Sequence, residues 1–269
     1  MKIFESTGFP KSYPQVIHKL GITFCIAIDL FCKMEYNAEK VALYLRHPQN
    51  DSKEERTMKI EQKVMDLSLA GIFTAVIFVM AAVPFLGYIP LGFMNATIIH
   101  VPVIIGALIL GPRYGAWLGF VFGMTSLIRA TLTPTVTSFV FSPFITIGGY
   151  RGNLWSIVIA VVPRICIGIA AYYAYHLAKR LFGKKRGGKT VSFWIAGIAG
   201  SMTNTILVMN GIYLFFGESY AAASNRAAGH IYDFILGIIV AFGIPEALIA
   251  GILTAAISLA IFKILKNGS

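Results

Sequence analysis

FMNATIIHVPVIIGALILGPRYGAWLGFVFGMTSLI, residues 93–128, holds two long apolar runs joined by a Gly111-Pro112 step. The stretch contains no acid, and its one lysine or arginine, Arg113, sits beside the step. Proline lacks an amide hydrogen and glycine permits a sharp turn, so the step ends one run and opens the next. Neither run alternates apolar with polar residues, as the strands of a transmembrane barrel would. Helices satisfy their own backbone hydrogen bonds in lipid. The stretch therefore predicts two consecutive membrane helices.

Four more runs flank it. Apolar segments cover Leu67 to Val83, about 93–110, about 114–128, Leu154 to Ala178, Ser192 to Phe216 and Ile231 to Leu265. A bilayer core takes about 20 helical residues, with a range of about 17–25. The third segment is short, and its first turn takes in Arg113. The sixth is long enough to span and project beyond. Composition agrees. Of the 269 residues 57% are hydrophobic and 13% charged, against about 25% charged in soluble domains. Mean hydropathy is +0.72. A soluble fold and a disordered chain are both excluded.

The net charge of +11 is uneven. Residues 1–66 hold ten Lys or Arg and nine Asp or Glu, whereas residues 67–269 hold thirteen and three. The three acids are Glu218, Asp233 and Glu246. The loop HLAKRLFGKKRGGK, residues 176–189, carries six basic residues and no acid. Lys59 and Lys63 precede the first segment, Arg113 follows the second, and Lys263 and Lys266 close the sixth. With six spans these four places share one side, and the positive-inside rule makes that side cytoplasmic. The expectation is an all-α polytopic membrane protein with six transmembrane helices and both termini cytoplasmic. Topology explains the basic residues, so nucleic acid is not an expected partner.

Residues 1–57 fit this scheme poorly. They contain Pro10, Pro14 and Pro48 and one short apolar stretch interrupted by Asp29. KMEYNAEK, which comes after that stretch, offers no signal-peptide cleavage site. Met58 opens an amphipathic lead into the first segment. The domain reading is an extension at 1–57, dispensable or untranslated, and a membrane-embedded substrate-binding domain at 58–269.

Polar groups inside spans are costly unless paired or facing a cavity. Asn95 and His100 lie in the second segment, Arg129 closes the third, and Arg164 follows Pro163 in the fourth. Asn204, Asn210 and Tyr213 lie in the fifth, and Tyr232, Asp233 and Glu246 in the sixth. A shared polar pocket would collect many of them. Local pairing, such as Arg164 with Glu246 or Arg129 with Asp233, is the other explanation. The loop PFLGYIPLG at 84–92, with Tyr88 and Pro90, is suited to a lid. The loop 129–153 has an apolar core, TSFVFSPFI, that should pack over the bundle. Small residues four apart, Ala70 with Thr74 and Gly71 with Ala75, permit close approach, by another helix of this chain or of a partner. Gly115, Gly119 and Gly123 repeat the device. Cys25, Cys32 and Cys166 lack metal-ligand spacing, and no catalytic motif appears. Neither an enzyme nor a metal or cofactor is expected. Six helices without an ATP-binding motif suit a capture subunit that borrows its energy from partners.

The chain resembles the substrate-binding S components of energy-coupling factor vitamin transporters, over about residues 60–266. Residues 93–128 carry most of the likeness, with LGPRYGAWLGF as the turn between two helices. SFVFSPF at 138–144 and VPR at 162–164 resemble the pantothenate subgroup, with the hydroxymethylpyrimidine type close by. The resemblance implies six helices and an outward pocket for a small water-soluble vitamin, formed by the last three helices and the first outer loop. It implies that loop 84–92 gates the pocket. It implies docking of the first helix, through Ala70, Gly71, Thr74 and Ala75, on a membrane-embedded coupling subunit served by two ATP-binding subunits. A pantothenate carboxylate would suit Arg129, Arg151 or Arg164, and its hydroxyl and amide groups Asn95, Asn210 and Tyr213. Riboflavin or another vitamin is an alternative ligand. A stand-alone carrier or a membrane scaffold is the alternative class.

Overall fold

The computed structural model describes residues 52–83, 87–90, 95–185, 187–224 and 230–267. The expected extension at 1–57 lies almost wholly outside them. The chain divides into two units, one of Met1–Met65 with Ile264–Ser269, the other Asp66–Lys263. The second holds the helix bundle and its cavity.

Among the described residues the fold is all-α apart from two short ribbons. Helix α1 spans Ser52–Ala82, through the boundary drawn at Met58. Strands β1 (Tyr88–Pro90) and β2 (Asn95–Thr97) pair antiparallel, with Tyr88 opposite Thr97. Helix α2 is His100–Leu110 and α3 is Pro112–Leu132. A 3-10 turn at Ser138–Val140 precedes the ribbon of β3 (Thr146–Ile147) and β4 (Tyr150–Arg151). Helix α4 is Leu154–Phe182 and α5 is Gly188–Ala223. Helix α6, Ile231–Ile238, runs through a π turn, Ile239–Gly243, into α7, Ile244–Asn267. Among the described residues, five stretches are long and apolar enough to cross a bilayer, and α2 is a shorter apolar helix.

The second segment is therefore not helical from residue 95. Asn95–Thr97 pairs with Tyr88–Pro90, and Thr97 is further engaged by Glu246. Only from His100 is the backbone free to coil. The step after it behaves as its residue types demand. Gly111 adopts φ +95 and Pro112 starts α3, where a missing amide costs nothing.

Helices α3 and α4 approach at backbone distance. A Cβ added to Gly119 would overlap the Arg164 carbonyl, and one at Gly123 would lie 2.8 Å from Val161 Cα. On the facing helix, a Cβ at Gly168 would lie 2.7 Å from Gly115 Cα. The glycine row of α3 is thus a seam within the chain. Around it sits a core that includes Ile104, Leu118, Phe122, Ile167 and Phe193. A second core, with Phe139, Ile159, Ile212, Phe216 and Tyr220, lies where the segment after α3 meets α4 and α5. Asn153 caps α4 by accepting from Trp155 N at 2.9 Å, and Ser156 Oγ donates to Phe139 O at 2.8 Å. Phe139 and Val140 are fully buried, so this segment packs on the bundle.

Overpacking a tight contact costs about 1–3 kcal/mol. Gly119→Val should therefore lower the thermal midpoint of purified protein by several degrees. Gly71→Ala should not, because a Cβ there meets nothing within 4 Å. Equal midpoints for Gly119→Val and unchanged protein would refute the seam.

Candidate functional site

A cavity of about 350 Å³ lies at the end of the bundle where α3 stops and α4 begins. Small-molecule sites typically measure roughly 300–1,000 Å³. Helix α3 contributes Ser126, Arg129 and Ala130, and Thr133 caps the helix end on the same side. Helix α5 contributes Asn204, Thr205, Val208, Met209 and Ile212. Both sets follow helical spacing, so each is one face. Arg164, Gly243, Glu246 and Thr97 complete the polar wall, and residues of the segment after α3 close it.

Arg164 is 5% exposed, and Pro163 accounts for part of its posture. Proline has no amide hydrogen, so the carbonyl four residues back, on Ile159, loses its helical donor. Arg164 Nη1 donates to that carbonyl at 2.7 Å. The guanidinium carbon also lies 5.3 Å from the Phe141 ring centroid and 5.7 Å from that of Phe122. A hydrogen bond and two aromatic faces help to fix the cation, which borders the cavity, and Glu246 is an acidic group within its electrostatic reach.

Arg129 lies in the last turn of α3. It donates through Nη1 to Ala81 O, at the end of α1, at 3.4 Å. Two guanidinium groups thus border one small volume. Asn204 is 7% exposed, and its Oδ1 has no hydrogen-bond partner.

Glu246 is the acidic member. Its Oε1 accepts from Thr97 N at 3.2 Å and from Thr97 Oγ1 at 3.1 Å. His100 Nδ1 lies 3.7 Å from the same oxygen. Pro245 cannot donate within its helix, and the turn before it widens, with Ile244 N–H bonded to Ile239 O. Gly243 closes that turn on the cavity wall.

Of the sequence-derived candidates, Arg129, Arg164 and Asn204 meet at this cavity. Asn210, Tyr213, Tyr232, Asp233 and Arg151 are not in its lining. Asn210 donates back to Ile206 O at 2.8 Å. Tyr213 and Tyr232 are partly exposed and pair with each other, ring centroids 5.0 Å apart. Asp233 sits beside His230 at 3.7 Å, at an exposed position. The rotation of α5 explains two of these: its cavity face carries 204, 205, 208, 209 and 212, and positions 210 and 213 fall off it. Arg151 lies in β4, exposed and outside the lining. Asn95, Tyr88 and Pro90 stand in the β1–β2 ribbon, in register beside Thr97. On α1, Ala70 is buried, Gly71 is exposed, and Thr74 and Ala75 are half-buried.

The sequence did not single out Thr97, Ser126 or Thr205, and it left Glu246 between a shared pocket and a pairing with Arg164. Ser126 stands one turn before Arg129 and Thr205 adjoins Asn204, and that spacing was the available signal. Thr97 carried none, because its place depends on a ribbon.

Among the described residues no three His, Cys, Asp or Glu gather as metal ligands. Comparison with known proteins gives a family. The family model for "ECF transporter, substrate-specific component" matches residues 66–258. The "Pantothenic acid transporter PanT" of Lactococcus lactis subsp. cremoris is 38% identical over 217 residues, 77% of this chain and 98% of the relative. The "Pantothenate transporter PanT" of Leuconostoc mesenteroides subsp. mesenteroides is 29% identical over 205 residues, 72% of this chain and 91% of the relative. This chain belongs to the substrate-specific S components of ECF transporters, which are transport subunits and not enzymes.

Proposed function

We propose that the chain captures pantothenate, or a close chemical relative, and delivers it to an ATP-driven energising module. The observation that carries the ligand class is the pair of guanidinium groups, Arg129 and Arg164, on one small cavity. Guanidinium groups bind carboxylates through charge-assisted hydrogen bonds, and burial strengthens such contacts. A flat uncharged pyrimidine would have no use for two cations. The names of the two relatives point to the same vitamin.

The positive-inside rule supports an orientation. The turn between α4 and α5 carries Lys184 and Lys185, and the cavity lies at the other end of α4. With that turn cytoplasmic, the cavity faces outward in a multi-pass protein of the cell membrane. Six spans, with α2 as the short one, then put both termini inside. The ribbon carrying Tyr88 and Pro90 is the gate, next to Thr97 on the cavity wall. Gly71 and Ala75 are the accessible part of the docking face for the coupling subunit. S components generally work with one such subunit and two ATP-binding subunits.

Replacing a charged hydrogen-bond partner costs about 1.5–3 kcal/mol, or about tenfold or more in affinity. Arg129→Ala and Arg164→Ala should each weaken pantothenate binding by that much in calorimetry of the purified chain. Tyr232→Ala, off the cavity, should stay within about twofold. Undiminished affinity in both arginine variants would remove the anion site.

Coupling has its own measurement. Vesicles holding the chain alone should accumulate no labelled pantothenate, and adding the coupling subunit, both ATPases and ATP should start uptake. Uptake by the chain alone would favour a stand-alone carrier.

A further inference from the structure

The two arginines explain how one end of a ligand is held. They leave two acceptors on the same cavity wall without a role in binding. Glu246 is a carboxylate with 14% of its side chain exposed; its two hydrogen bonds, from Thr97 N and Thr97 Oγ1, and its approach to His100 Nδ1 all fall on Oε1, and the Arg164 charge also acts on it. Asn204 Oδ1 is buried and accepts nothing. A buried acceptor without a donor, such as Asn204 Oδ1, is costly, and a carboxylate has room for more donors than the two that Thr97 gives Glu246. A ligand with an apolar far end would cover both and give neither a further donor.

We infer that Glu246 is a specificity-determining residue that accepts a hydrogen bond from a hydroxyl of the ligand, with Asn204 as a second acceptor. The substrate class is then a small monocarboxylate that also carries hydrogen-bond donors. This rests on the cavity being the proposed ligand site and adds the second half of the recognition. The backbone supports the placement. The π turn at Ile239–Gly243 and Pro245 set the rotation of α7 that turns Glu246 toward the cavity and β2. The competing role is mechanical, with Glu246 serving only to hold Thr97.

Two probes separate these roles. One is pantothenate. The other is its dideoxy analogue, 3,3-dimethylbutanoyl-β-alanine, which keeps the carboxylate and the amide and lacks both hydroxyls. Binding to the purified full chain is measured by calorimetry, with the thermal midpoint as a control of folding. Unchanged protein should prefer pantothenate by about tenfold or more. Glu246→Gln should weaken pantothenate about tenfold and leave the analogue within about twofold, so the preference collapses. Thr97→Val removes the Oγ1 donor but keeps the acceptor, so it should retain the preference. Equal losses for both probes in Glu246→Gln, matched by Thr97→Val, would make Glu246 a mechanical tie and overturn the inference alone. Absence of preference in unchanged protein would do the same. If unchanged protein binds no pantothenate at all, the vitamin assignment falls, and this inference with it.

Discussion

The close approach of α3 and α4 is the contact on which the site depends. Gly119 lies directly against the Arg164 carbonyl, and Gly115 and Gly168 face each other with no side chain between them. Lipid tails are as apolar as the helices, so close packing has to supply much of the attraction between them. Glycines permit that closeness, and closeness fixes register. Arg129 lies ten residues beyond Gly119 on the same helix, and Arg164 stands on the opposite side of the seam. Their separation at the cavity is therefore set by backbone contact and not by loop conformation. The proposed anion site would need such rigidity, because it would keep two cationic side chains on one small cavity.

The two charged residues placed deepest in the helices share a local device. Each comes directly after a proline, Arg164 after Pro163 and Glu246 after Pro245. A proline inside a helix frees a carbonyl that must find another donor. At Pro163 the donor is the neighbouring guanidinium, which is thereby anchored to its own helix. At Pro245 the helix adjusts instead by a π turn, which rotates α7 relative to α6. One proline fixes a side chain and the other aims one. At Pro163 a backbone defect and a buried charge compensate each other, which helps to explain why a lipid-embedded helix tolerates both.

Much of this architecture is legible in the sequence, and the limits are physical. Hydropathy runs and the Gly111-Pro112 step are local, so they give the order of helices. The glycine row at 115, 119 and 123 announces a close contact without naming the partner. Polar residues inside spans mark Arg129, Arg164 and Asn204 because their burial cost is a property of residue type. Asn210, Tyr213, Tyr232 and Asp233 carry the same mark, yet helix rotation directs them elsewhere. Rotation comes from tertiary packing and from the π turn, and neither has a signature within a single segment. The strand at Asn95–Thr97 is hidden similarly, since three residues amid an apolar run become a strand only when Tyr88–Pro90 pairs with them.

That ribbon also ties the site to its surroundings. Two three-residue strands are too little to be stable alone in water. Beyond their own pairing, the described contacts that position them are the Gly87 carbonyl accepting from Ile98 N at 3.0 Å and the grip of Glu246 on Thr97. One of these holds is a carboxylate on the cavity wall. Whatever changes the hydrogen bonding of that carboxylate changes the restraint on the ribbon. The electrostatics of the cavity and the position of its nearest strand are thus coupled through a single oxygen, Glu246 Oε1. A ligand recognised at that carboxylate would be felt by the ribbon without any rearrangement of the helices, which the glycine seam resists.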